Sequence, residues 1–89
     1  MQQKDITIIN KLGLHARAAA KFVTLASQFE SSVEVARNQQ KVNGKSIMGV
    51  MMLAASKGTT LTIYTDGPDE EAAIQQIEAL ILDRFQEGE

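Results

Sequence analysis

Cysteine and tryptophan are absent from the 89-residue sequence, and histidine and proline occur once each. Without cysteine there are no disulfides, no thiolate nucleophiles and no cysteine-ligated zinc or iron–sulfur clusters. The single histidine, His15, excludes sites that need two imidazoles. One tyrosine and three phenylalanines are too few and too scattered to stack against nucleic-acid bases.

The charge balance is close to neutral. Nine Lys and Arg residues against eleven Asp and Glu give a formal net charge of −2 and an isoelectric point near 5.3, so no broad positive field attracts nucleic acid or anionic lipid. The first ten residues lack the basic and apolar segments of a signal peptide, and no apolar stretch reaches the length of a membrane span. We therefore expect a cytoplasmic protein that binds neither nucleic acid nor membrane.

Local patterns predict four strands and three helices. The composition, 44% hydrophobic and 22% charged, is typical of a globular chain, and the length leaves room for one domain over 1–89. Alternating apolar and polar residues predict strands over 4–9, 32–37 and 59–65, with a short strand around Val42 that completes a hairpin. Apolar residues at helical spacing predict helices over 16–29, from Ser46 to Leu53 or Ala54, and from 70 to the C-terminus.

These elements follow one another as strand, helix, strand, strand, helix, strand, helix, without a linker or repeat. The last strand alternates Leu61 and Ile63 with Thr60, Thr62 and Tyr64, which gives the sheet one apolar and one polar face. Amphipathic helices bury their apolar stripes on such an apolar face. We therefore predict an α+β fold, an open-faced two-layer sandwich with the helices on one side of the sheet.

The main candidate for chemistry is His15, which lies at the predicted start of the first helix. Backbone N–H groups at a helix N-terminus lack intrahelical partners and stabilise a phosphoryl group. Neutral imidazole is a nucleophile, and phosphorylated imidazole can pass its phosphoryl group on. Arg17 adds a planar cation nearby, and Gly13 would let a partner approach the backbone closely. The pattern favours a reversible phosphoryl carrier.

Two other interpretations of His15 stay open at this point. In an arbitrary protein, a residue at this position is more often only a helix cap, and Arg17 would then be a solvated charge. A Ser-His hydrolase is also conceivable, because the chain has five serines. However, no nucleophile elbow is present, and the sequence places no carboxylate where it would orient the imidazole.

Ser46 is a second candidate site. Its hydroxyl suits the N-cap of the second helix, where an added phosphate would also meet the helix dipole. The helix that follows is too short for all of its large apolar side chains to face the core, so some should form an exposed patch suited to partners of different shape. These side chains are Ile47, Met48, Met51 and Met52. The other interpretation is that the methionines only fill irregular core space.

Gly49 and an acidic run also have two interpretations each. A glycine inside a helix costs roughly 1 kcal/mol relative to alanine, which either a close partner or tight internal packing would explain. Asp66, Asp69, Glu70 and Glu71 could bind a hard cation, but three of the four suit the start of the third helix. We therefore assign no metal and no cofactor.

Two segments carry a resemblance to a known family. GLHARAAAK at 13–21 and GKSIMGVMMLAASKG at 44–58, with the order of strands and helices, resemble the HPr family, the histidine-containing phosphocarrier proteins of the bacterial phosphoenolpyruvate-dependent sugar phosphotransferase system. The resemblance covers essentially the whole chain. It implies an HPr-like βαββαβα sandwich with a four-stranded antiparallel sheet, and a carrier rather than an enzyme.

The resemblance also implies roles for individual residues. His15 would accept a phosphoryl group from phosphorylated Enzyme I, on the ring nitrogen nearer the backbone, and donate it to the A domains of sugar-specific enzymes II. Arg17 would stabilise the phosphorylated ring, and Ser46 matches a serine that HPr kinase/phosphorylase phosphorylates in lineages with that enzyme. Partners would dock on an apolar surface made of Leu14, Ile47, Met48 and Met51. Because transient docking needs an accessible surface, we expect a monomer.

Ala18 departs from the family pattern, which often has proline after the active-site arginine. Proline pre-sets the first helical turn, so alanine leaves the register of the helix start open. Two alternatives remain: the nitrogen-related paralogue of HPr in a regulatory chain, and a non-phosphorylated interaction module that uses Met48 and Met51. The segment GKSIMGVMML favours the sugar branch, and mutation of His15 would separate a carrier from an interaction module.

Overall fold

The structure, a computed structural model, describes residues 1–87. Its strands are β1 (Gln2–Thr7), β2 (Ser32–Arg37), β3 (Gln40–Asn43) and β4 (Thr60–Asp66). Its helices are α1 (Ala16–Ala26), α2 (Ile47–Met52) and α3 (Glu70–Leu82), followed by a 3₁₀ turn at Arg84–Gln86. The order of strands and α-helices is the predicted one.

The four strands form one antiparallel sheet in the order β1-β4-β2-β3. In the central strand β4, Leu61 lies opposite Ile6 of β1 and Ile63 lies opposite Val35 of β2, so buried apolar side chains share one face. A tight turn in which Asn38 has a φ of 56° joins β2 to β3 and confirms the predicted hairpin. Asparagine tolerates this left-handed conformation better than most residues.

The helices cover the apolar face of the sheet. Phe22 of α1, Val50 of α2 and Ile77 of α3 are fully buried and join the apolar strand residues in one cluster. The opposite face is polar: Thr62 Oγ1, for example, donates a 2.8 Å hydrogen bond to Asp5 Oδ1 across β1 and β4. The predicted open-faced two-layer sandwich is confirmed.

Several predicted boundaries are wrong. β1 covers Gln2–Thr7 rather than 4–9. α1 ends at Ala26 rather than near Phe29, because the following residues form turns that lead to the start of β2. The third helix does not run to the C-terminus: α3 ends at Leu82, and residues 84–86 all have positive φ values. Tertiary contacts hold these turns, and the spacing of apolar residues contains no signal for them.

Asp69, at the start of α3, holds the loop between α1 and β2. Its Oδ1 accepts hydrogen bonds from Ser31 Oγ at 2.5 Å and Ser31 N at 2.9 Å, and its Oδ2 accepts one from Glu30 N at 3.0 Å. The Ser31 hydroxyl and the two backbone N–H groups hold the pKa of the Asp69 carboxyl below its ordinary value. Gly67 permits the approach, because a Cβ there would lie 2.6 Å from Ser31 Cα.

We expect Asp69→Asn to lower the melting temperature at neutral pH, because an amide group cannot accept all three hydrogen bonds. A carboxylate whose pKa is lowered by folding stabilises the protein fully above its unfolded pKa, about 3.9, and the stabilisation is lost as pH falls through the folded pKa. The difference in melting temperature between wild type and variant should therefore shrink below about pH 4.

Thermal unfolding followed by circular dichroism at a series of pH values measures this difference. Glu71→Gln is the matched control, since it removes an exposed carboxylate from the first turn of the same helix. A difference that does not depend on pH, or one no larger than that of the control, would contradict the role given to Asp69.

Candidate functional site

His15 occupies the N-cap position of α1. Its backbone is extended, with φ −73° and ψ 177°, and its carbonyl accepts the first hydrogen bond of the helix from Ala19 N at 2.8 Å. Its side chain makes no capping hydrogen bond, so the imidazole is not simply a helix cap. The helix begins at Ala16 as predicted, although Ala18 stands where proline is common.

The first turn of α1 leaves donors available beside the imidazole. The N–H groups of Ala16, Arg17 and Ala18 precede the first helical hydrogen bond, and none has a partner within residues 1–87. Ala16 and Arg17 are exposed, whereas Ala18 is fully buried, so its N–H, which a proline would lack, does not face solvent. The Arg17 guanidinium is exposed and makes no ion pair or hydrogen bond to the described residues. An anion bound here would meet N–H dipoles and a cation that has no partner among residues 1–87.

The segment after α3 turns back towards the start of α1. Arg84, Phe85 and Gln86 have φ values of 53°, 53° and 66°. The Phe85 ring is fully buried, and the Phe85 carbonyl accepts a 2.7 Å hydrogen bond from Lys21 Nζ of α1. These interactions fix the direction of the chain, so the next residue, Glu87, lies next to His15.

Glu87 links His15 and Asn10 through hydrogen bonds. Glu87 Oε2 is hydrogen-bonded to His15 Nε2, and Glu87 Oε1 accepts a 3.1 Å hydrogen bond from Asn10 Nδ2, which also donates to the Gly13 carbonyl at 2.8 Å. Burial raises the pKa of the Glu87 carboxyl. Hydrogen bonds with His15 and Asn10, together with the charges of His15 and Lys21, lower the pKa by more, so it lies below its ordinary value. Glu87 is therefore an anion at neutral pH.

This carboxylate was missed by the sequence analysis, which placed none near the imidazole. Glu87 lies 72 residues from His15 along the chain, beyond a left-handed stretch that interrupts any helical pattern. The histidine–carboxylate pair does not extend to a serine, since no serine within residues 1–87 forms a hydrogen bond with His15. The described part of the chain thus gives no support to a Ser-His hydrolase.

An open cleft of about 370 Å³ adjoins this site. Leu12 and Gln86 line it together with four charged side chains, which are Lys11, Arg17, Lys21 and Glu87. Three cations against one anion give this cleft a positive lining, although the whole chain has a net charge of −2. A phosphoryl group fits this local charge.

Gly13 and Leu14 serve the interior of the protein. Gly13 has a φ of 66°, and a Cβ there would lie 2.5 Å from the Ala55 carbonyl oxygen, so the close approach predicted at Gly13 is made by the chain itself. Leu14 N donates a 2.8 Å hydrogen bond to the same carbonyl. The placement of Leu14 on an apolar surface is wrong: it is 5% exposed because it packs in the core, whereas Leu12 is 66% exposed.

Ser46 caps α2 as predicted, because its Oγ accepts a 3.2 Å hydrogen bond from Gly49 N. The expected exposed patch is also confirmed. It is called the α2 patch below, and its four side chains, between 40% and 69% exposed, are Ile47, Met48, Met51 and Met52. A Cβ on Gly49 would lie 3.3 Å from Val42 Cβ, so tight internal packing explains the glycine.

Two residues of the acidic run have structural roles. Asp69 holds the α1–β2 loop, and Glu70 forms a 2.8 Å ion pair with the N-terminal amine of Met1. Within residues 1–87, no group of three or more His, Cys, Asp or Glu side chains is arranged to hold a metal ion. None of the helices in that range has the length and apolar character needed to cross a bilayer.

Comparison with known proteins identifies the family. The family model described as "PTS HPr component phosphorylation site" matches residues 2–83. The chain is similar to the phosphocarrier protein HPr of Cupriavidus necator, at 61% identity, and to that of Neisseria meningitidis serogroup A, at 57%, in each case over 89 residues that cover both chains completely. Its structure is similar to a crystal structure of HPr-C-His from Thermoanaerobacter tengcongensis, with a TM-score of 0.95, 47% identity and 98% of each chain covered. The chain therefore belongs to the HPr family, whose members are phosphocarrier proteins of the phosphotransferase system and not enzymes.

Proposed function

We propose that His15 accepts a phosphoryl group from phosphorylated Enzyme I and passes it to the A domains of sugar-specific enzymes II. The observation that carries this proposal is the position of the imidazole. It is 28% exposed, at the N-terminus of α1, beside backbone N–H groups that have no partner within residues 1–87. A partner can reach the ring, and the phosphoryl group that it delivers meets donors already in place.

Arg17 supports the same role. Its guanidinium lines the positive cleft and is unpaired within the described residues, so it can turn to the phosphoryl oxygens without breaking another interaction. Hydrogen bonds to charged groups contribute about 1.5 to 3 kcal/mol each. Such a contribution is large enough to stabilise a phosphorylated ring and small enough to leave transfer reversible.

The α2 patch supplies the surface on which partners dock. Ile47, Met48 and Met51 belong to it, and Leu12 adds exposed apolar area in the cleft that Arg17 and Glu87 also line. Exposed methionines adapt their shape to different partners, which suits a protein that meets a donor and several acceptors. Leu14 does not contribute, since it is buried.

We further infer that Ser46 is a regulatory site for HPr kinase/phosphorylase. A phosphate on its Oγ would carry a charge of about −1.5 to −2 and could still accept a hydrogen bond from Gly49 N, so α2 would stay folded. The charge would lie next to Ile47 of the α2 patch and would weaken association with Enzyme I through desolvation and like-charge repulsion.

Intact mass spectrometry tests the carrier role. Incubation with phosphoenolpyruvate, Mg²⁺ and Enzyme I should add one phosphoryl group, which brief acid treatment should remove, because phosphoramidates are acid-labile. His15→Ala should gain none and should keep the start of α1, because the first helical hydrogen bond is accepted by the His15 backbone carbonyl, although the contact with Glu87 is lost. A stable phosphoryl group, or one that persists in the variant, would reject His15 as the carrier residue.

Arg17→Ala should slow phosphoryl transfer to and from His15 by about 10- to 100-fold, the equivalent of one hydrogen bond to a charged group. Its melting temperature should match that of the wild type, since Arg17 makes no contact with the described residues that folding requires. Lys57→Ala, which removes another exposed cation, is the control. A large loss of stability would show instead that Arg17 is structural.

Ser46→Asp and Ser46→Asn separate charge from capping, because both side chains are good N-caps and only aspartate is charged. We expect Ser46→Asp to reduce the rate of phosphorylation by Enzyme I by about 10-fold and Ser46→Asn to behave like the wild type. Initial rates at low protein concentration report the difference. Equal rates for the two variants would exclude an electrostatic role for this position.

A further inference from the structure

We propose that Glu87 is a positioning residue for phosphoryl transfer at His15: its carboxylate holds the proton on Nε2 and balances the positive charge of the ring when Nδ1 carries the phosphoryl group. This inference rests on the proposed function of His15. It adds a residue that lies outside both sequence motifs and close to the end of the chain.

The position of the carboxylate is fixed by several independent contacts. Phe85 is fully buried, the Phe85 carbonyl is hydrogen-bonded to Lys21 Nζ, and Glu87 N donates a 3.0 Å hydrogen bond to the Arg84 carbonyl. The Glu87 side chain is 15% exposed, so most of it is removed from water. Its interaction with the imidazole is therefore stronger than that of a surface pair.

Asn10 orients the carboxylate. Its Nδ2 donates to both Gly13 O and Glu87 Oε1, and these two acceptors determine which way the amide faces. The Asn10 side chain is fully buried, and its Oδ1 accepts no hydrogen bond within residues 1–87. A buried unsatisfied acceptor costs about 1 to 3 kcal/mol. The Asn10 amide therefore acts through its two N–H donors. One holds the loop before His15 through the Gly13 carbonyl, and the other holds the Glu87 carboxylate through Oε1.

The protonation state of the ring follows from these contacts. An ionised carboxylate can only accept hydrogen bonds, so His15 Nε2 must carry a proton where it meets Glu87 Oε2. In the neutral ring, Nδ1 then keeps its lone pair and is the nucleophile. No hydrogen bond within residues 1–87 occupies Nδ1.

The transfer step then needs no proton to leave the ring. The Nδ1 lone pair forms the N–P bond, the bond between phosphorus and the donor atom of Enzyme I breaks, and its electron pair returns to that atom. Nε2 keeps its proton, so the ring becomes a cation that faces the Glu87 carboxylate. In onward transfer the acceptor bonds to phosphorus, and the N–P electron pair returns to Nδ1.

The charged side chains near the ring act on the positive charge of this intermediate. Among the described side chains that line the adjoining cleft, Lys11, Arg17 and Lys21 are cations and Glu87 is the anion. These three cations oppose a positive charge on the ring. The Glu87 carboxylate, which is in contact with Nε2, offsets that opposition.

Glu87→Gln tests the proposal, with Asp83→Asn as the matched control, because Asp83 is an exposed carboxylate of the same segment with no contact to His15. In the unphosphorylated wild type with a neutral ring, ¹⁵N NMR should show a protonated Nε2 and a bare Nδ1. In Glu87→Gln, whose amide can donate as well as accept, the two nitrogen signals should move towards each other. Asp83→Asn should match the wild type.

The phosphorylated proteins give the second measurement. A ³¹P NMR titration of Glu87→Gln should show ring protonation with a midpoint about one pH unit below that of the wild type, since an opposite charge has been removed. The rate of phosphorylation by Enzyme I should fall by about 10-fold, because one pKa unit corresponds to a tenfold factor.

Unchanged nitrogen signals and an unchanged midpoint in Glu87→Gln would overturn the role of Glu87 in phosphoryl transfer. A lower melting temperature in that variant would then show only that Glu87 has a structural role. The nitrogen measurement needs no phosphorylation. A wild-type protein that gains no phosphoryl group would therefore contradict the proposed function while leaving the test of the Glu87–His15 pair intact.

Discussion

The close contact between Gly13-Leu14 and Ala55 is the constraint on which the site depends. A hydrogen bond of 2.8 Å from Leu14 N to the Ala55 carbonyl joins the loop before α1 to the loop after α2, and a side chain at Gly13 would prevent it. The next residue, His15, then begins α1 at the surface while Leu14 enters the core. This backbone contact thus fixes where the N-terminus of α1, and with it His15, lies in the fold.

Local patterns predicted much of the fold. The alternation in β4, the cap at Ser46 and the helix start at Ala16 each depend on residues close together in sequence, and the structure has all three. The end of α3 could not be predicted in the same way. Apolar spacing continues from Ile81 to Phe85, but the burial of Phe85 and the contact with Lys21 are made with distant parts of the chain.

The site also combines residues that are close together in sequence with residues that only the tertiary structure brings together. His15 and Arg17 share one short motif, so the sequence alone indicated both. Glu87 reaches the imidazole only because the chain reverses after α3, and the same reversal brings the Glu87 carboxylate to Asn10 Nδ2 in the β1–α1 loop. Patterns of helix and strand describe short stretches of sequence, whereas this network joins the connection between β1 and α1 to the segment after α3. It became visible only when the tertiary structure placed them together.

The N-cap geometry of His15 keeps its backbone contact independent of its side chain. The carbonyl of the residue accepts the first hydrogen bond of α1, while the imidazole takes no part in capping. A group added to the ring would leave that backbone bond in place, so loaded and unloaded forms would show partners nearly the same shape. Donor and acceptor would then be distinguished by the charge that each partner meets at the ring. The direction of phosphoryl transfer would depend on the relative phosphoryl-transfer free energies of the partners.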